Sequence, residues 1–165
     1  MNDKNENISI KIIISEQKLY VFNNYKESYS FSISSSKNGT GQEKGSGCTP
    51  LGDHKIKIKI GEGEPINRVF VGRRPLNLVY STSLAQKFPE RDWILTRILW
   101  LTGLESGFNR GGNYDSLSRY IYIHGTPDEE RMGSPQSHGC IRMQNSDLLE
   151  LFDLIKAGTH VSIIN

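Results

Sequence analysis

A chain of 165 residues with 20 Lys and Arg against 18 Asp and Glu carries a formal charge of only +2. That length can bury a core without disulfides or metal, so one domain spanning residues 1–165 is expected. The near balance of charge, with no dense run of Lys and Arg, argues against a nucleic-acid partner, and two cysteines make no disulfide framework.

Met1 to Asn7 is polar, and Ser9 and Lys11 interrupt the apolar run from Ile8 to Ile14. This is the alternation of an amphipathic strand, without the basic start and continuous apolar stretch of a secretory leader. Nothing approaches the roughly 18 apolar residues of a membrane span. The expectation is a cytoplasmic protein with no membrane insertion, or one of the cell envelope if Met1 is not the native start.

Ile8–Ser15, Lys18–Phe22 and Ser28–Ser34 read as an antiparallel meander, with turn chemistry at Asn23-Asn24. Ser35 to Gly47 is a polar loop, closed by Thr49-Pro50-Leu51-Gly52. His54–Ile60 alternates, with Ile56, Ile58 and Ile60 on one face and Lys55, Lys57 and Lys59 on a solvated one. Asp92 to Leu101 fits neither period cleanly; its β-branched and aromatic content favours a buried strand. Gly103 to Ser118 is a polar, Gly-rich connection in which Arg110 is a weak binding candidate. Tyr120–Gly125 alternates as a strand. Ser146 to Lys156 has the apolar stripe Leu148, Leu151, Phe152 and Ile155 of a helix, with Asn145 or Ser146 as its cap and Gly158 at its stop. Thr159–Ile164 is a last strand. The fold class is mainly β, a sandwich or partly closed barrel with one helix in the C-terminal region.

The chemistry concentrates in His138-Gly139-Cys140. Cysteine attacks as the thiolate, and a nearby histidine is the usual means of producing one. Thr126 to Ser137, rich in Gly, Pro, Asp and Glu, reads as a loop that folds back and brings Cys140 against the end of the His124 strand. His124, His138 and Cys140 are also zinc-ligand types, but no fourth ligand is evident, so neither metal nor cofactor is expected. His54 and His160 lie on strands and read as structural, and Cys48 as a non-catalytic thiol near the cleft.

His124-Gly125, Gly133 and Ser137-His138-Gly139-Cys140-Ile141-Arg142-Met143 together resemble the signature of the L,D-transpeptidase (YkuD-type) catalytic domain. Lys18-Leu19-Tyr20-Val21-Phe22 and Thr49-Pro50-Leu51-Gly52 resemble further family segments, so the likeness covers nearly the whole chain. It implies Cys140 as nucleophile, His124 as its base and the Gly125 carbonyl as the group orienting the imidazole. It gives His138 a supporting role. Gly139 permits a tight turn, so that the N–H groups of Gly139 and Cys140 could face a developing oxyanion. Arg142, Ser137 and Tyr122 are the expected substrate-binding residues, Arg142 through bidentate binding of a carboxylate.

The partners implied are peptidoglycan stem peptides, met by a monomer. Cys140 would cleave the L,D amide between the third stem residue, diaminopimelate in many bacteria, and D-alanine, leaving a thioester. Water as acceptor makes an L,D-carboxypeptidase and a second stem peptide makes an L,D-transpeptidase. Without a visible leader, the expectation leans to a cytoplasmic carboxypeptidase acting on recycled peptides.

Overall fold

Ile10 and Ile12 alternate with polar residues, as do Leu19 and Val21. Antiparallel pairing sets Ile10 opposite Val21 and Ile12 opposite Leu19, which puts all four on one buried face. The computed structural model describes residues 7–165, so Met1–Asn7, on which the expectation of a leaderless chain rests, lies outside the described residues except for Asn7. Its strands are β1 (Ile8–Ile13), β2 (Lys18–Asn23), β3 (Lys26–Ser34), β4 (Gly52–Ile60), β5 (Arg68–Val71), β6 (Arg74–Val79), β7 (Ile94–Gly103), β8 (Tyr122–Gly125), β9 (Ile141–Met143) and β10 (His160–Ile164). Two α-helices, α1 (Thr82–Lys87) and α2 (Asn145–Leu154), accompany them. Asn24 and Tyr25, at φ 50° and 66°, make the two-residue turn that joins β2 to β3.

The strands run in the order β4-β10-β1-β2-β3-β9-β8-β7, and β7 pairs back onto β4, closing an eight-strand barrel. The barrel expected to be partly closed is therefore fully closed, which removes its free edges. Beyond it, β5 pairs with β7 and carries β6 outward as a hairpin. The interior is filled by Ile10, Ile12, Leu19, Ile56, Leu99, Leu101, Ile123 and Ile141, sealed by Leu148, Leu151 and Phe152 of α2.

Three local expectations change. A register shift in β4 between Ile56 and Ile58 takes Ile58 off the core face, leaving it 41% exposed while Ile56 is buried. Lys59 is not simply solvated: its Nζ donates to the carbonyls of Phe152 and Ile155 at 2.6 and 2.7 Å, satisfying the end of α2. At the start of α2, Asn145 is the first helical residue, not a cap. Its own N–H is taken by Glu129 Oε1 at 2.8 Å.

The segment before β7 also holds a helix the sequence did not suggest. Ser81 Oγ accepts from the N–H of Leu84 at 3.1 Å and starts α1. Trp93, buried with Val69 and Leu95, anchors the far end of that segment. β7 itself is a buried strand, as expected, with a register shift between Leu95 and Ile98. Thr96 sits there at φ 74°, unusual for a β-branched residue. Among the described residues, no helix is long and apolar enough to cross a membrane.

His54 is fully buried, with Nδ1 3.0 Å from the Gly52 carbonyl oxygen and Nε2 2.8 Å from Ser116 Oγ. Burial pushes its imidazole down to about 4. A lowered pKa means that the unfolded chain takes the proton first, so the stability it confers is complete above its ordinary value of about 6.5 and is lost as pH falls towards 4. The melting temperature should fall across that window, by a loss of roughly 3 kcal/mol. The variant His54→Gln should be less stable at neutral pH but show a flatter acid slope in the same thermal melts.

Candidate active site

β8 and β9 are parallel neighbours, with Ile123 opposite Ile141 and His124 opposite Arg142. Successive residues of a strand point to opposite faces, so Ile123 and Ile141 enter the barrel core while His124 and Arg142 share the outer face. Cys140, one residue before β9, and Tyr122, two before His124, fall on that same outer face.

The turn that delivers Cys140 is tightly specified. Gly139 has φ 134°, where a side chain would be strained. Ser137 Oγ accepts the Gly139 N–H at 3.2 Å and donates to the Cys140 carbonyl. Thr49 Oγ1 donates to the Gly139 carbonyl at 2.9 Å, so the Thr-Pro-Leu-Gly turn props the catalytic turn from below. Two expectations are corrected here. The Ser137 hydroxyl closes the turn instead of facing substrate, and the Gly139 N–H is engaged by it, not free for an oxyanion.

His124 is buried, and its Nδ1 lies 2.7 Å from the Gly125 carbonyl oxygen. A carbonyl can only accept, so Nδ1 carries the proton and Nε2 remains an acceptor. Burial lowers the imidazole pKa, against the opposing influence of the Gly125 carbonyl and Asp92, so the ring is neutral near pH 7. Gly125 cannot carry a side chain: a Cβ there would collide with Asn145 Oδ1 and stand 2.7 Å from the Leu95 carbonyl oxygen. Asn145 also donates to the Thr126 carbonyl at 2.8 Å and accepts from Thr96 Oγ1 at 2.6 Å. It thereby ties the strained point of β7 to the end of β8.

Cys140 is partly exposed and unpaired. Its thiol donates to the Tyr120 carbonyl at 3.3 Å, and its sulfur accepts the Tyr122 N–H at 3.4 Å. Desolvation pushes the thiol up to about 11, against the Tyr122 N–H and the guanidinium groups of Arg142 and Arg119. The resting site thus holds a neutral thiol, bonded to Tyr120 and Tyr122, and a neutral imidazole on one outer face. Tyr120, at φ 57°, holds its carbonyl towards the sulfur at some backbone strain.

The remaining expected residues are placed differently from their assigned parts. Arg142 is buried, its side chain 7% exposed, and its guanidinium lies 2.7 Å from Asp92 and 3.7 Å from Asp128. It is the hub of an internal ion-pair network and offers no free fork to a carboxylate. His138 stays exposed, with Nδ1 3.0 Å from the other oxygen of Asp92. Desolvation disfavours ionised Asp92, but His124, Arg142 and His138 outweigh it and hold the carboxyl below its usual range. Tyr122 is buried edge-on to Trp100 with its hydroxyl 3.3 Å from Arg73, and its hydrogen bond to Cys140 is made by its main-chain N–H. His54 is structural. His160 makes a surface pair with Asp53 at 3.0 Å. Cys48 is unpaired, and Arg110 lines neither cavity beside the site.

Those two cavities meet at His138. One, of about 440 Å³, is lined by residues of both charges, among them Lys37, Glu90, Arg91, Asp92 and Asp128. The other, of about 370 Å³, is lined by Lys44, Gly47, Arg119, Tyr120 and Ile121. Among the described residues, no group of three His, Cys, Asp or Glu is placed to hold a metal.

A closed barrel thus carries a cysteine, just before β9, and a singly protonated histidine, on β8, on the outer face of two adjacent parallel strands. The chain belongs to the YkuD family, the L,D-transpeptidase catalytic domain, whose family model matches residues 7–163. It is 48% identical over 54 residues to the L,D-transpeptidase relative YkuD of Bacillus licheniformis, a match covering 32% of this chain and 33% of that one. It is 51% identical over 45 residues to YqjB of Bacillus subtilis, covering 27% and 26% respectively. These matches thus span a third or less of the relatives' own length. L,D-transpeptidase 3 of Mycobacterium tuberculosis, solved with a faropenem-derived adduct, shares the fold with a TM-score of 0.60 at 16% identity, covering 97% of this chain and 62% of that one.

Two measurements check this geometry. Gly125→Ala should destabilise the fold by roughly 2 kcal/mol or more in denaturant titration, because the added methyl meets Asn145 and the β7 backbone. In a Cys48→Ser background, iodoacetamide alkylation of Cys140 should keep accelerating well past the ordinary cysteine value of about 8.5. A plateau near neutral pH would mean that the thiolate is already formed in the free protein.

Proposed function

We propose that this chain is an L,D-transpeptidase acting on peptidoglycan stem peptides through a Cys140 thioester. The observation that carries the reading is His124: its Nδ1–H is committed to the Gly125 carbonyl, leaving Nε2 as an acceptor on the outer face that Cys140 shares. The family match and the names of the relatives support the substrate class.

With a stem tetrapeptide bound, Nε2 takes the thiol proton as the sulfur attacks the carbonyl carbon of the third residue. The C–S bond forms as the carbonyl π bond opens to an oxyanion. Collapse breaks the C–N bond, and the imidazolium returns its proton to the departing D-alanine nitrogen. The amine of a second stem peptide then attacks the thioester, gives its proton to Nε2 and restores the thiol. His138, which lines both cavities, would flank the reacting carbonyl, and the Gly139 turn holds Cys140 in place. The starting state fits this sequence, since a neutral thiol and a neutral imidazole need only one proton transfer to become a reactive pair.

Hydrolysis is the second reading, and the partial exposure of Cys140 favours it because water can reach the thioester. It would make the protein an L,D-carboxypeptidase, and a cytoplasmic placement would accompany that outcome. Incubation with a disaccharide tetrapeptide followed by mass analysis separates the readings. A dimer lighter than two substrates by one D-alanine supports transpeptidation, and tripeptide alone supports hydrolysis. Cys140→Ala and His124→Gln should each lower kcat/KM by about a thousandfold or more. Full activity in Cys140→Ala would remove the mechanism.

A further inference from the structure

Arg119 is a guanidinium without a counter-charge. Its Nη1 donates to the carbonyls of Gly41 and Gln42 at 3.2 and 3.0 Å, and its Nη2 to the Cys48 carbonyl at 2.7 Å and Ser46 Oγ at 3.5 Å. All four acceptors are neutral, and among the described residues no carboxylate pairs with it. Burial lowers its pKa, and the ionisable groups that oppose the shift are the thiols of Cys48 and Cys140. Its field therefore falls on the nucleophile's surroundings.

The cavity it lines has the same character. Lys44 is the second cation there, also without a carboxylate partner, and its backbone is anchored by its N–H on the Asn113 carbonyl at 2.8 Å. The lining contains no Asp or Glu. Across His138 the larger cavity differs, because Glu90, Asp92 and Asp128 face its cations. Cys140 is joined to the cationic cavity through Tyr120, a lining residue whose carbonyl accepts from the thiol at 3.3 Å.

We propose that the cavity formed by Lys44, Arg119 and His138 seats the terminal α-carboxylate of the peptide next to the bond being broken, so that these two cations make the site specific for a free C-terminus. The inference rests on the acyl-transfer reading above. In a C-terminal residue the carboxylate is one carbon from the scissile nitrogen. Whatever binds it must therefore lie within a few ångströms of the attacking sulfur. The cavity whose charged side chains are all basic meets that requirement, whereas the other sets Glu90, Asp92 and Asp128 against Lys37, Arg91, Arg131 and Arg142, so its cations are largely compensated. Arg142 is neutralised by Asp92 and Asp128, whereas Arg119, with its Nη groups spent on three carbonyls and Ser46, keeps an uncompensated charge that acts on the carboxylate through its field while Lys44 makes the direct contact.

The test uses two tetrapeptides identical except for a terminal carboxylate or carboxamide. Each is titrated calorimetrically into full-length Cys140→Ser, and each is offered to the wild type for cleavage. The free acid should bind at least about tenfold more tightly, the size of a charge-assisted contact. Lys44→Ala, an exposed change, should shrink that preference. Arg119→Gln should shrink it too, and Arg119→Lys should recover part of it. Equal affinity for the two peptides, no binding of either, or a preference that survives in both Lys44→Ala and Arg119→Gln would overturn the proposal. Loss of preference in only one variant assigns the carboxylate to that residue. If the wild type cleaves neither peptide while Cys140→Ser still prefers the acid, acyl transfer fails and the carboxylate site stands.

Discussion

The parallel pairing of β8 with β9 is the constraint on which the rest of the molecule depends. Its register sends Ile123 and Ile141 into the barrel and leaves His124, Cys140 and Arg142 on the outer face. A slip of one residue would exchange those sets, burying the imidazole in the core and exposing two isoleucines. Parallel neighbours require a crossover connection, and here it is Thr126–Cys140, which carries no long helix. The chain reverses instead through hydrogen bonds to the barrel wall, Gly133 N–H on the Ile33 carbonyl and Ser137 N–H on the Ser35 carbonyl among them. Core packing and the placement of Cys140 and His124 are thus one requirement, not two.

Burial then sets the charge state of that pair. It raises the thiol and lowers the imidazole, so both shifts oppose a resting thiolate–imidazolium pair. The thiol proton is accordingly held by the Tyr120 carbonyl. A thiol held protonated in this way is a weak nucleophile on its own, which slows oxidation or alkylation of Cys140 near neutral pH. The orienting group is a backbone carbonyl, so no carboxylate need be buried against His124 to fix its tautomer.

What the amino-acid sequence disclosed follows from distance along the chain. Strands such as Ile8–Ile13, the Leu148–Phe152 stripe and the His124 and Cys140 segments are local patterns, and they were legible. β7 was legible as a buried strand from its composition and not from its period, because Thr96 occupies a left-handed conformation at a register shift. Asp92 was not legible as a site residue because its partners, His138 and Arg142, are 46 and 50 residues away. Trp93 gave a hint, as a large aromatic that must be buried and so fixes its neighbour. Arg142 and Ser137 were assigned to substrate by their proximity to Cys140, whereas folding claims both for the framework. Thr49 was undervalued for the opposite reason, since its hydroxyl supports Gly139 across 90 residues.

Arg142 shows why the framework and the site cannot be separated. The register that brings Cys140 near His124 also sets a guanidinium opposite the imidazole, in a poorly solvated place. An unpaired cation there would be costly and would depress the basicity of His124 further. Asp92 resolves both difficulties: its carboxylate neutralises Arg142 and, through its field, opposes the loss of basicity at His124. Its second oxygen steadies His138, which divides the two cavities. Because Asp92 follows α1 and is anchored by Trp93, the segment least legible in the sequence bears on the electrostatics of both His124 and Cys140. It is attached by the Asp92 ion pairs and by Trp93, on which Tyr80, Leu84 and Phe88 pack, so a change in this packing would alter the surroundings of His124 and the cavity wall together.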